Sequence, residues 1–449
     1  MTRSTFGSLL FACGLILTSL GDAQRLNAGG GFFNQRSVGG VAINADGVLE
    51  APTVQDEREL AQLREQTALK APVALDEFTE LRAVSLKQIE AILAQCAKDG
   101  QPVPDEVKYL AGLQRVQYVF VYPERNDIVL AGPAEGWKMD GLGNVVGATT
   151  NYPVLMLDDV MTALRSGASS RTEPITCSID PTPEGMQRLQ QMMSRRSTIG
   201  DPEQTFAEIE EAVGLQEISV TGVPDTSHFA RTMVAADFRM KRLAMDFEPA
   251  PVKGMPSFLS MMPPTARGVS NMMQRWWLAP SYEPLAKTAD GLAWELRGPG
   301  VKCLTEESYV DESGNKAASG KKNNTAEKWA ATMTEKFAEL ATLDSSFGQL
   351  RNIMDLAVIG ALVEKERLLD IASLQLPRLL AEEPLDRYPA PKHTPTKVSA
   401  VKNRRQWTMT ASGGVEMLPW HIASETEAIE SVGAIRNELA ADVKEFWWE

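Results

Sequence analysis

Pro174-Ile175-Thr176-Cys177-Ser178-Ile179-Asp180-Pro181-Thr182-Pro183-Glu184-Gly185 is the stretch that decides the fold class. Pro174 to Ile179 is an apolar run of strand-like composition. Thr182 then offers an N-cap and Pro183 the first helical position, so a helix is expected to about Arg196. Asp201 to Val213 carries a helical pattern, Glu217 to Val223 reads as a strand, and Asp225 is placed to cap a helix running to about Met245. Strand and helix in alternation predict an α/β layered structure here.

The pattern extends outward on both sides. Gly39 to Leu49 alternates and carries Asp46-Gly47, a hairpin signal. Thr53 to Lys70 and Leu75 to Lys98 are rich in Glu, Leu, Ala and Lys and read as a pair of helices. Val116 to Tyr122 is a strand, Pro123 to Asp127 a turn, and Ile128 to Ala131 the returning strand. Beyond Met245, Trp276 to Tyr282 and Leu292 to Leu304 read as strands, whereas Thr325 to Leu343 and Ser345 to Leu369 read as helices. Asp311 to Asn324 is polar and expected to be disordered. The expected division is a leader at 1–23, an N-terminal hairpin and helical pair at 24–110, a central α/β domain at 111–310, a helical subdomain at 325–381, a linker at 382–405, and a C-terminal hairpin turned at Gly413-Gly414 with a last helix at 406–449. The fold class is α/β or α+β, a layered sheet with packed helices.

The chain has 449 residues, 43% hydrophobic and 23% charged, the composition of an ordinary globular protein. Its formal charge of −14 excludes a general nucleic-acid binder, which needs a basic face to displace counterions. Met1 to Arg3 gives a positive start, Leu9 to Leu20 an apolar core and Gly21 to Ala23 a small-residue exit, the layout of a cleaved secretory signal. The apolar stretch is too short for a spanning helix, which needs about 20 residues. A periplasmic or secreted protein is therefore expected, with no membrane span after cleavage; Cys96, Cys177 and Cys303 remain, which allows one disulfide plus a free thiol or three buried thiols, and Cys177 with Cys303 is the pair that a disulfide would join.

Recognised chemical motifs are sparse. Gly141, Gly143 and Gly147 lack dinucleotide-loop spacing, and no cofactor is expected. His228, His393 and His421 are never paired at helical spacing, and no Cys-x-x-Cys occurs, which argues against zinc. The Gly-x-Ser-x-Gly elbow is absent. Several acids remain. Asp237 falls at the edge of an apolar helical stripe with Lys241 one turn on, and Asp355 interrupts an apolar run with Arg351 one turn before it. A carboxylate in such surroundings is paired or has its pKa raised, and both structural ion pairs and active sites produce that signal. Asp180, Asp237, Asp355 and His228 are the catalytic candidates. Asp158 and Asp159 are candidate binding acids, and Trp276 with Trp277 offers rings on which a sugar or peptide could stack.

Several strings resemble one family: Gly39 to Leu49, Asn126 to Trp137, Cys177 to Gly185, Ala235 to Lys241 and Phe347 to Ala357. That family is a domain of unknown function, number 1598, found in exported planctomycete proteins, and the resemblance covers roughly residues 36 to 370. It implies export and brings no activity, cofactor or catalytic residue. The leading expectation is a non-catalytic binding or envelope-structural role, with a carboxylate-dependent hydrolase as the alternative. The two separate on geometry: an enzyme gathers two or more of Asp158, Asp180, His228, Asp237 and Asp355 in one open pocket, whereas a binding or structural protein scatters them or seals them against Lys241 and Arg351.

Overall fold

The computed structural model describes residues 42–43, 47–51, 71–195, 202–262, 268–269, 272–310, 316–318, 324–400, 406–408 and 412–442. The leader, the expected helix from Thr53 to Lys70, and most of the polar stretch from Asp311 lie outside them. The chain divides into a short unit, Met1–Asn34, and a large one, Gln35–Glu449, to which every described residue belongs.

Ala42–Ile43 and Leu49–Glu50 pair antiparallel, so the first hairpin signal is realised. Thr79–Ser85 forms strand β1, not the first turns of a helix, and leads directly into helix α1, Leu86–Asp99. The reason is pairing: β1 lies against β3, Asp127–Ala134, which returns from β2, Tyr118–Tyr122. Ala83 and Val84 are buried on opposite faces as a result. After helix α2, Leu157–Ser166, comes the stretch quoted first. Ile175–Pro181 is strand β4, and its successive residues alternate between buried and half-buried. Helix α3, Pro183–Ser194, begins where expected, with the Thr182 hydroxyl accepting from the Gly185 amide. Helix α4, Pro202–Val213, strand β5, Leu215–Thr221, and helix α5, His228–Ala244, follow. The cap of α5 is Ser227, whose hydroxyl accepts from the Ala230 amide, and not Asp225.

Strand β6, Met272–Ser281, is followed by β7, Leu285–Lys287, β8, Ala293–Glu295, β9, Gly300–Val310, and β10, Lys316–Ala318. Helices α6, Asn324–Glu335, α7, Phe337–Leu343, and α8, Ser345–Lys365, come next. The chain closes with β11, His393–Pro395, β12, Ser412–Met417, β13, Thr426–Ala428, and α9, Ser431–Asp442.

Two mixed sheets result. One has seven strands in the order β10-β9-β6-β12-β4-β5-β11, the other six in the order β13-β7-β8-β2-β3-β1. The α/β or α+β class holds. One continuous core takes Val119 and Leu130 from the six-stranded sheet, Ile179 and Leu278 from the seven-stranded one, and the inner faces of α2, α5 and α8. Helix α8 is apolar nearly all round because it is buried nearly all round. The opposite face of the six-stranded sheet presents Phe120 and Tyr122, which α9 covers with Val432.

The C-terminal segment departs most from expectation. Residues 393–395 of the expected linker form the edge strand beside β5. Gly413-Gly414 is no hairpin turn: β12 is inserted between β6, which it joins in parallel, and β4, which it joins antiparallel. The divisions expected at 110, 381 and 405 are all crossed by sheet pairing.

Cys177 and Cys303 are free thiols. They occupy one row across the sheet, Cys177 opposite Val415, Val415 opposite Leu278, and Leu278 opposite Cys303. Three strand spacings of about 4.8 Å put their Cα atoms about 14 Å apart, twice what a disulfide spans. Both are buried, and burial raises both thiol pKa values well above the ordinary 9.0. A thiol reagent at pH 8 should therefore leave Cys177 and Cys303 unmodified until denaturant is added, while the half-buried Cys96 reacts first. Prompt modification of either strand cysteine in the folded protein would contradict the burial.

Candidate functional site

The singled-out acids fall into three ionic clusters, each made where a helix meets a sheet or another helix. At the first, α2 and α5 bring their N-termini together. His228 Nδ1 lies 2.8 Å from Asp159 Oδ2, and the ring of Tyr388 stands edge-on to the imidazole with centroids 5.1 Å apart. Asp158 Oδ1 accepts the Leu385 amide at 3.1 Å. All three of Asp158, Asp159 and His228 are buried. Burial, reinforced by the charge of Asp159, pushes the Asp158 carboxyl up to about 6.

This shift has a consequence for stability. The folded carboxyl keeps its proton to about pH 6, but its ordinary value is 3.8. The folded state thus binds the proton more tightly, and the stability this brings is full below about pH 4 and lost as pH rises through 6. Asp158→Asn keeps an oxygen for the Leu385 amide and abolishes the repulsion. Relative to the parent, it should gain up to about 2 kcal/mol between pH 4.5 and pH 8 in urea unfolding. A difference independent of pH would show that Asp158 is solvated.

The second cluster ties α5 to the centre of the seven-stranded sheet. Lys241 Nζ donates to Asp237 Oδ2 at 2.8 Å, to the Ile179 carbonyl at 2.9 Å and to the Gly413 carbonyl at 3.2 Å. The three protons of the ammonium are thereby matched to three acceptors, on α5, β4 and β12. Asp237 is fully buried, and burial outweighs the nearby Lys241 charge to lift its carboxyl to about 6. Asp180 is half-buried and accepts from the Ser412 hydroxyl at 2.8 Å.

The third cluster corrects a sequence expectation. The partner of Asp355 is Arg115, not Arg351: Arg115 Nε lies 2.8 Å from Asp355 Oδ2. Tyr282 Oη donates to Asp355 Oδ1 at 2.6 Å. Arg115 precedes β2 and Tyr282 follows β6, so the carboxylate of α8 is held by two loop ends far from it in sequence. Arg351 instead lies over the Tyr152 ring, 4.4 Å from its centroid.

Trp276 is wholly buried between Phe258 and Trp329, each with its ring centroid 5.0 Å away, and is a core residue. Trp277 is half-buried on the other face of β6, with the Arg275 guanidinium over its ring. Sequence reasoning passed over Arg115, Tyr282 and the buried Glu135, which accepts from Gln114, Thr149 and Thr150. None carries a local signal, since each partner set is assembled by tertiary packing.

Asp158, Asp159, His228, Asp237 and Asp355 are buried, whereas Asp180 is half-buried. His228 meets Asp159 beside Asp158, but inside the protein; Asp237 is fully buried on Lys241, with the charge of Asp180 near enough to act on it. Asp355 stands apart with Arg115. A depression open to solvent lies at the sheet edge where α5 meets β5 and β11. Ile179, Phe238, Met245 and Phe247 line it, with Lys241 and Arg242 at its wall. Among the described residues no three His, Cys, Asp or Glu side chains converge as metal ligands.

The arrangement defines a mixed α/β protein whose central helices are fastened by buried ion pairs. Residues 177–258 match the family described as "Protein of unknown function (DUF1598)". The match supports the resemblance drawn from the sequence over that span, which runs from β4 through α5 and contains Asp180, His228, Asp237 and Lys241. No curated protein and no solved structure matches the chain.

Proposed function

We propose that this is an exported bacterial protein with a non-catalytic binding or structural role in the cell envelope. One observation carries the reading. Asp158, Asp159, His228, Asp237 and Asp355 are each buried and committed to internal partners. A general acid or base needs hydrogen-bond reach of a substrate proton, and the burial of these five side chains supports structural roles for them; Asp180, half-buried on β4, stands outside this group. The leader-like start at 1–23 supports export, and no described helix is long and apolar enough to cross a membrane. The depression beside α5, apolar with a cationic wall, offers a surface for a partner or ligand.

The test has two arms. N-terminal sequencing of the protein recovered from the periplasm or medium should give Gln24 as the first residue; an intact Met1 on cytosolic protein would overturn export. Ester, phosphomonoester and glycoside substrates should not turn over. Hydrolysis abolished by Asp180→Asn or Asp237→Asn, with thermal stability retained, would establish the hydrolase instead.

A further inference from the structure

Among the described residues Arg351 is a cation without an ion-pair partner of its own. Asp355, the nearest carboxylate in sequence, is fully engaged: Oδ2 takes Arg115 Nε, and Oδ1 takes Tyr282 Oη at 2.6 Å and Arg115 Nη2 at 3.4 Å. Among the described residues Arg351 makes no hydrogen bond and no ion pair, and its Nε is buried with no acceptor. Its one contact of note is the Tyr152 ring, and Tyr152 Oη is likewise buried without a partner. Nearby on α8, Asn352 donates to the Pro153 carbonyl, which pins this part of the helix against the loop that carries Tyr152.

Unpaired buried polar groups are rare in folded proteins, and a concentration of them points to a bound species. Two guanidinium groups and one carboxylate leave the cluster at +1. Burial depresses the Arg351 pKa and outweighs the nearby charge of Asp355. Arg115 and Arg351 both stay partly exposed, although Arg351 Nε and Tyr152 Oη are themselves buried, so solvent reaches the rim of the cluster. Gly300, in a left-handed conformation at φ +88°, makes the room: a Cβ there would come within 2.8 Å of Arg351 Cγ.

We propose that Arg351, with the Tyr152 hydroxyl and the outer edge of Arg115, binds a single oxyanion group, a carboxylate or a phosphate, of a small ligand. The guanidinium fork suits both, and the net charge of the cluster suits one negative charge. The site shares no residue with the depression beside α5 and goes beyond the role proposed above.

The experiment is a thermal-midpoint titration of the full chain with sodium phosphate and, separately, sodium acetate, at ionic strength fixed with sodium chloride. The midpoint should rise saturably with one of these anions and not with chloride. Which anion saturates at lower concentration distinguishes the two sources. Arg351→Gln should raise the apparent dissociation constant about tenfold or more, and Arg351→Lys less. If Arg351→Gln does not fold, Tyr152→Phe, which deletes an unpaired hydroxyl alone, carries the test and should also weaken binding. A midpoint that follows the chloride control for both anions overturns the proposal, as does an Arg351→Gln or Tyr152→Phe curve identical to the parent's. Either failure leaves the sealed acids and the export reading untouched, because those are read from turnover and from the N-terminus.

Discussion

A chain ending at Arg405 is expected not to fold. Truncation there deletes β12 from the middle of the seven-stranded sheet and leaves β6 and β4 with facing unpaired edges. It removes Val415 and Met417 from the core and the Gly413 carbonyl from Lys241. It also strips α9 from the six-stranded sheet and bares Phe120 and Tyr122. Buried side chains of this size contribute about 1.5–3 kcal/mol each, and several go at once, against a total stability of about 5–15 kcal/mol. A single substitution makes the same point. Gly413 sits at φ +134°, and a Cβ there would meet the Trp276 carbonyl oxygen at 1.5 Å. Gly413→Val should therefore cost more than about 4 kcal/mol. Soluble yield and near-ultraviolet circular dichroism report both effects; a soluble truncated chain with a native near-ultraviolet spectrum would show that β12 is an accessory.

Removing the Asp355 carboxylate should destabilise the protein by about 3–5 kcal/mol. Asp355→Ala leaves Arg115 without its counter-charge and Tyr282 without its acceptor inside the core. Burial, followed by the Asp355 charge, pushes the Tyr282 hydroxyl well above its ordinary range, so it remains a donor to the carboxylate up to strongly alkaline pH. Tyr282→Phe removes one hydrogen bond and should cost about 1 kcal/mol, up to about 3 because the acceptor is charged. Arg351→Gln should cost less than Asp355→Ala, since Arg351 holds no partner here. Urea midpoints of the three variants give the order directly. Equal losses for Asp355→Ala and Arg351→Gln would restore the pairing that the helical spacing suggests.

What the sequence made legible was local. Thr182 and Pro183 mark the start of α3 because capping and a fixed proline φ act within one turn. The β2–β3 hairpin was legible for the same reason, its strands being joined by a short turn at Pro123 to Asn126. Thr79 to Ser85 was not, because its residues favour a helix and only pairing with β3 makes them a strand. Gly413-Gly414 imitates a turn, but the glycines serve close backbone approach, Gly413 to Trp276 and Gly414 to Cys177. The site behaves alike. Asp237–Lys241 was legible because four residues is one helical turn. Arg115–Asp355 was not, because its partners are 240 positions apart. Asp159 and His228 were each noticed, but their meeting depends on how α2 packs against α5.

Amide hydrogen exchange over residues 412–417 tests most directly whether the large unit, Gln35–Glu449, is closed by its C-terminal strand segment. Inserted between β6 and β4, these amides should be protected as strongly as those of the two flanking strands and should open only with global unfolding. Exchange of 412–417 within seconds, while β4 and β6 remain protected, would contradict it.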